Sequence, residues 1–190
     1  MSVLQNGMRE DSLYRLRDYG TSTTTTPSHR KNTLNWDDTF KHQLKVCQES
    51  KGSLMLIGDS LIAGLTRYKS VLKRYFQEYH TINCGIGGDR TQNVLWRAER
   101  MILPSCLKNV IIHCGLNNIS EDSPDIASGI ILIGMIFIKK SPKVTITITG
   151  IIPKGLHYSK TRSKIIKVNS LVKKFTAIHD NLIYLDDMHD

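Results

Sequence analysis

The chain has 190 residues, 40% of them hydrophobic and 23% charged, which is the make-up of one globular domain and not of a disordered or fibrous chain. Its formal charge of +9 is unevenly placed: residues 1–50 hold 7 Lys/Arg against 6 Asp/Glu, whereas residues 126–179 hold ten basic residues and no acidic one. The longest apolar stretch, 126–138 (IASGIILIGMIFI), falls short of the roughly 20 residues of a membrane span, and MSVLQNGMRED at the N-terminus is too polar for a secretory signal, so the expectation is neither a membrane-spanning nor a secreted protein.

Residues 1–35 are polar, without sustained periodicity, and include the run TSTTTT closed by Pro27; they are expected to form a flexible tail. The domain is expected over residues 36–190. A helix is predicted over 36–49, with Asn35 as N-cap and Phe40, Leu44 and Cys47 along one stripe. Short apolar runs then recur at 54–57 (LMLI), 80–84 (HTINC), 110–114 (VIIHC), 144–149 (VTITIT) and 182–185 (LIYL). Helical segments follow them at 61–78, 91–100, 123–140 and 159–179, the apolar 126–138 stretch being a buried helix. Strand–helix alternation at this spacing predicts an α/β fold: a three-layer sandwich around a five-stranded, flavodoxin-like parallel sheet. Runs apolar throughout, such as LMLI, suit strands covered on both faces. Cys47, Cys84, Cys106 and Cys114 form no CxxC pair, so buried free thiols in a reducing compartment, the cytoplasm, are expected.

In a doubly wound sheet the site lies beyond the carboxyl ends of the strands. Those ends are followed here by Gly58-Asp59-Ser60, by Gly85-Ile86-Gly87-Gly88-Asp89-Arg90, by Gly115-Leu116-Asn117-Asn118 and by Gly150-Ile151-Ile152-Pro153. Ser60 fits two roles, a helix N-cap or a nucleophile aimed into the crevice. The 85–88 loop could cradle a phosphate or bring a backbone N–H to a developing oxyanion. The dinucleotide fingerprint GxGxxG fails, because Arg90 stands where its third glycine belongs, which disfavours a nucleotide-binding domain. Asn117 could close a turn, cap the next helix or donate its amide to the same oxyanion.

Gly58-Asp59-Ser60-Leu61, the 85–88 loop and Gly115-Leu116-Asn117 resemble the first three blocks of the SGNH (GDSL-type) hydrolases. GIGGDRTQNVLWR (85–97), GIIPKG (150–155) and the helix with Arg162, Val168, Asn169 and Leu171 extend the resemblance over about residues 36–188, most closely to the catalytic-subunit branch of the intracellular platelet-activating-factor acetylhydrolases. Similar domains also occur in open reading frames of some non-LTR retrotransposons. The resemblance implies a hydrolase of short-acyl carboxylic esters working through an acyl-enzyme. Ser60 would be the nucleophile, with an oxyanion hole made by the Ser60 and Gly88 backbone N–H groups and the Asn117 side chain. It implies no metal and no organic cofactor.

The resemblance also implies a base from a late DxxH pair followed by a last helix. Asp186-Asp187-Met188-His189 fits DxxH by letter, but LIYLDDMHD resembles the end of the fifth strand. Three readings follow: a chain cut before its Asp–His pair, His189 acting as base from a shortened loop, or a domain that binds without catalysis. Without the last helix, part of one sheet face would lie uncovered. In the 159–179 helix, Ile165, Val168, Val172 and Phe175 share one stripe and Lys160, Lys164, Lys167 and Lys174 another. A solvated face is the favoured reading of those lysines; a nucleic-acid surface is the alternative. The expected partner is a small-molecule ester, with a homo-oligomer left open.

Overall fold

The structure, a computed structural model, describes residues 22–31, 33–153 and 159–186. Five parallel strands, β1 (Leu54–Gly58), β2 (Ile82–Gly85), β3 (Asn109–His113), β4 (Thr145–Thr149) and β5 (Leu182–Leu185), stand in the order β2-β1-β3-β4-β5. The winding starts at β1, steps outward to β2, then crosses back to β3 and runs on to β5. The reversal therefore lies between β1 and β3, and their carboxyl ends, Gly58 and His113, are register partners.

Four helices cover one face: α1 (Trp36–Glu49), α4 (Thr91–Arg100), α5 (Ser123–Lys140) and α6 (Lys160–Thr176). They bury Met55, Ile57, Val110, Ile112, Ile146 and Ile148 from the strands beneath them. α5 is apolar nearly all round because it is enclosed nearly all round, by α4 and α6 at its sides and the sheet below. α6 is instead amphipathic: Ile165, Val168 and Val172 point inward, while Lys160, Lys167 and Lys174 stay in solvent.

The predicted helix over 61–78 is two helices and two 3-10 turns. α2 (Ser60–Gly64) gives way at Gly64, a poor helix former, to the turn Leu65–Arg67, and Tyr68 (φ −101°, ψ 57°) breaks the chain before α3 (Lys69–Phe76). A second 3-10 turn covers Gln77–Tyr79. These pieces cover the second sheet face only near β1, through Leu54, Leu56 and Ile62, with Leu65, Phe76 and Ile111 packed alongside. Farther along, β4 reads Thr-Ile-Thr-Ile-Thr, with its isoleucines buried on the first face and its threonines half-buried on the second. Next to it, Ile183 and Leu185 of β5 are each 49% exposed.

Of the expected tail, residues 1–21 and 32 lie outside the described residues, and the described part packs on the domain. Thr24 is fully buried, donating from its hydroxyl to Asp125 O at the start of α5 and accepting at its backbone oxygen from the Thr91 hydroxyl. Ser28 N–H bonds Gln92 O, and the Asn93 amide bonds Ser28 O. Gly129 permits this approach, since a Cβ there would sit 2.7 Å from Thr24 O. Threonines that look like low complexity in the sequence are thus hydrogen-bonding a strap onto α4 and α5. Asn35 is left-handed (φ 62°) and makes no side-chain cap; it is the Asn35 backbone oxygen that receives the Thr39 hydroxyl. Among the cysteines, Cys47, Cys84 and Cys114 are buried and free, and Cys106 is exposed. No described helix is long and apolar enough to cross a membrane.

The two sheet faces should respond differently to mutation. Ile133→Ala, in the fully buried α5 core, is expected to cost about 2–5 kcal/mol in urea unfolding. Ile183→Thr on the open face should change stability by no more than about 0.5 kcal/mol. Equal losses would mean that the second face is covered in solution.

Candidate active site

Ser60, Gly88 and Asn117 all lie just beyond the carboxyl ends of strands, after β1, β2 and β3 respectively. The backbone between β1 and α2 turns sharply at Asp59, whose carboxylate accepts the Leu61 N–H at 3.0 Å. Asp59, not Ser60, is therefore the N-cap of α2. Ser60 occupies the first helical position, and its exposed hydroxyl bonds no described residue. The loop after β2 comes alongside: Ile86 N–H donates to Gly58 O at 3.1 Å, and a Cβ built on Gly87 would lie 4.0 Å from Ser60 Cβ. Gly85 is packed so closely on α2 that any Cβ would collide with the Ala63 backbone.

Gly88 and Asn117 meet in one cleft of about 480 Å³. Gly88 has φ +77°, a left-handed conformation that other residues adopt only under strain, and its backbone is exposed. Asn117 comes from the 3-10 turn after β3 and donates one amide hydrogen to Asp89 O at 2.8 Å. An amide carries two N–H groups, so this bond fixes the side chain and leaves the other hydrogen for a ligand. Gly88 and Asn117 line the cleft directly, whereas Ser60 stands outside the cleft lining, next to Gly87, the residue before Gly88.

Beneath these loops lies a polar network that pattern reading did not find. Arg97 on α4 is fully buried. Its guanidinium donates to Asp89 Oδ2 (2.9 Å), Cys84 O (2.8 Å), Gly58 O (3.0 Å) and Gln43 Oε1 (3.3 Å). Asp89, also fully buried, accepts the Trp36 indole N–H at 2.7 Å through its other oxygen. Gln43 completes the set by donating to Gly85 O. One side chain thus ties together the ends of β1 and β2, the loop holding Gly88, and α1. A signal for it existed: Val94, Arg97 and Met101 fall on one helical stripe that is otherwise apolar, so Arg97 had to point into the core.

Burial pushes the Asp89 carboxyl above its ordinary range, opposed by the charge of Arg97 and the hydrogen bonds from Trp36 and Arg97. Burial likewise raises Asp59, opposed by the Leu61 N–H and the charge of His113. His113, at the end of β3, bonds the Thr149 hydroxyl at 2.7 Å through Nδ1. Asp186 takes an ion pair from Lys173 at 3.1 Å, and His189, the other half of the DxxH pattern, lies outside the described residues. No group of three or more His, Cys, Asp or Glu placed to hold a metal ion occurs among the described residues.

Comparison with known proteins names the family. The chain is 32% identical over 140 residues to the alpha1 subunit of human platelet-activating factor acetylhydrolase IB, covering 73% of this chain and 60% of that subunit. It is 30% identical over 128 residues to the human alpha2 subunit, covering 67% and 56%. The chain belongs to the SGNH (GDSL-type) hydrolase family. It spans about three fifths of the length of these curated relatives. The fold agrees with solved structures. A GDSL-like lipase from Bacteroides thetaiotaomicron superimposes with TM-score 0.59 at 16% identity, covering 80% of this chain and 77% of that one. An acetylxylan esterase from Geobacillus stearothermophilus superimposes with TM-score 0.54 at 16% identity, covering 70% and 76%. No family model matches the chain.

Two measurements probe this edge of the SGNH fold. Arg97→Met strands a buried carboxylate and should cost about 3–5 kcal/mol in urea unfolding; adding Asp89→Asn to it should recover part of that loss. For Asp59, a folded-state pKa raised above the unfolded value means stability that is fully present below the unfolded pKa and lost as pH rises through the folded one. Asp59→Asn, which keeps an acceptor for Leu61 N–H, removes that loss. The stability of Asp59→Asn relative to wild type should therefore increase as pH is raised from about 4 towards 7, read from unfolding curves at each pH.

Proposed function

We propose that this chain is a carboxylic-ester hydrolase that works on short acyl groups through a serine acyl-enzyme. The observation that carries the proposal is the state of Ser60: exposed, at the switch point of the sheet, and excused from helix capping by Asp59, so that its hydroxyl has no structural employment among the described residues.

In this reading Ser60 Oγ attacks the acyl carbon and its proton passes to an imidazole. The carbonyl oxygen, gaining charge, takes hydrogen bonds from the Ser60 and Gly88 backbone N–H groups and from the Asn117 hydrogen not used on Asp89. Such donors accelerate because they are already oriented before charge develops. Loss of the alcohol leaves acyl-Ser60, and water attacks it over the same oxyanion hole. The names of the relatives support ester chemistry: an acetylhydrolase, a lipase and an acetylxylan esterase.

The test is hydrolysis of 4-nitrophenyl acetate by the 190-residue chain beside its variants. Ser60→Ala should abolish turnover, and Asn117→Ala should lower kcat roughly 10²–10³-fold, the usual cost of one oxyanion donor. A loss in His189→Ala as deep as that of Ser60→Ala assigns the base. Equal rates in wild type and Ser60→Ala would overturn the proposal for this chain.

A further inference from the structure

The wall of the cleft opposite the strand ends comes from the N-terminal strap, and it is basic. Arg30 reaches across from the strap and donates through Nη1 to Gly87 O at 2.7 Å, with Asp89 Oδ1 at 3.5 Å from the same nitrogen. The Nη1–Nη2 edge of the guanidinium is turned toward Gly88, whose Cβ, if it had one, would sit 2.9 Å from Arg30 Nη2 and 3.0 Å from Nη1. Arg90 follows the same loop one residue after Asp89; its side chain is half-exposed, and Nη1 reaches Glu121 Oε1 at 3.3 Å. Ser28, His29, Gln92, Asn93 and Asn117 supply the remaining polar lining, and no carboxylate among the described residues lines the cleft.

Neither arginine is used up by its partner. Asp89 is already bonded to Arg97 at 2.9 Å and to the Trp36 indole, so Arg30 at 3.5 Å is a secondary contact. In both guanidiniums every described hydrogen bond comes from Nη1. Nε and Nη2 of each therefore have no described protein acceptor, and a guanidinium edge of this kind is the fork that binds carboxylate and phosphate oxygens in pairs. The strap itself is held firmly: Thr24, Ser28 and Asn93 bond it to α4 and α5, and His29 packs edge-on against Trp36 and Trp96.

We infer that this cleft is an anion subsite: Arg30 and Arg90 grip a carboxylate or phosphate group on the substrate, beside the Gly88 and Asn117 donors. The inference rests on the hydrolase reading for the word substrate, and on the cleft alone for the binding of an anion. An acidic group held there would position the adjoining ester over the oxyanion donors, and the enzyme would prefer anionic esters to neutral ones of equal size.

Binding can be measured apart from turnover. Isothermal titration of the full chain with phenyl phosphate, benzoate and neutral benzyl alcohol should show saturable 1:1 binding of at least one of the two anions and none of the alcohol, weakening as NaCl is added. Arg90→Gln should weaken anion binding at least tenfold. Arg30→Lys, which keeps the charge but loses the fork, should also weaken it. Tighter binding of phenyl phosphate than of benzoate would assign a phosphate-bearing substrate, and the reverse order a carboxylate. Anion binding that persists in Ser60→Ala and depends on Arg90, in a protein that hydrolyses no ester, would sustain the subsite while the hydrolase reading fails. Ester turnover by Ser60 together with phenyl phosphate binding that ignores Arg90, or no saturable anion binding at all, would overturn the subsite.

Discussion

A single buried cation organises the working edge of this molecule. An arginine without solvent must find an acceptor for each hydrogen it presents, or the fold bears a desolvation cost of several kcal/mol. Arg97 finds four acceptors on three segments far apart in sequence: Gly58 at the end of β1, Cys84 in β2 with Asp89 on the loop after it, and Gln43 on α1. Because all four must be in place at once, the loops bearing Ser60 and Gly88 have little freedom to move apart. Strand pairing alone would align Gly58 with Gly85; the guanidinium carries that order outward into the loops, where strand pairing no longer acts.

Gly88 and Asn117 inherit this rigidity indirectly. Asn117 does not touch Arg97, but it bonds the backbone of Asp89, whose side chain is Arg97's strongest partner. Gly88 is held between that anchored aspartate and the guanidinium of Arg30. Preorganisation of this kind lets backbone dipoles act on charge that develops during a reaction, without a reorganisation step. It also accounts for a core with so many polar groups: Asp59, Asp89, Arg97 and Gln43 are all buried at this one edge, while the strand residues beneath α5, such as Ile112, Ile146 and Ile148, are hydrophobic.

The layered α/β order was legible because strand and helix periods alternate cleanly from residue 54 onward, and α4, α5 and β5 begin and end where the pattern changes. The loops after the strands were legible as a site because glycine and small polar residues concentrate there. The capping of α2 was not, since Asp59 and Ser60 are both good capping residues and only backbone geometry chooses between them. Nor was the break near Tyr68, because residues 61–78 keep an apolar repeat across it. The strap was hidden for a different reason. Its attachment is made by threonine hydroxyls and backbone groups, which leave no hydrophobic period, and its fit depends on Gly129, over a hundred residues away. Arg97 left a trace in the apolar stripe of α4, but its partners are set by topology, not by local spacing.

The strap has a consequence for how such a site can diversify. The side of the cleft with Gly88 and Asn117 is built from loops that the sheet and Arg97 hold in place, so substitutions there disturb folding and chemistry together. The opposite side is a peripheral ribbon that precedes the first helix and belongs to no strand. Its residues Ser28 to Arg30 take no part in strand pairing or in the hydrogen bonds of Arg97. The two walls of one cleft thus differ in their tolerance of substitution, the inner one tied to the sheet and the buried arginine, the outer one to the strap's own contacts with α4 and α5.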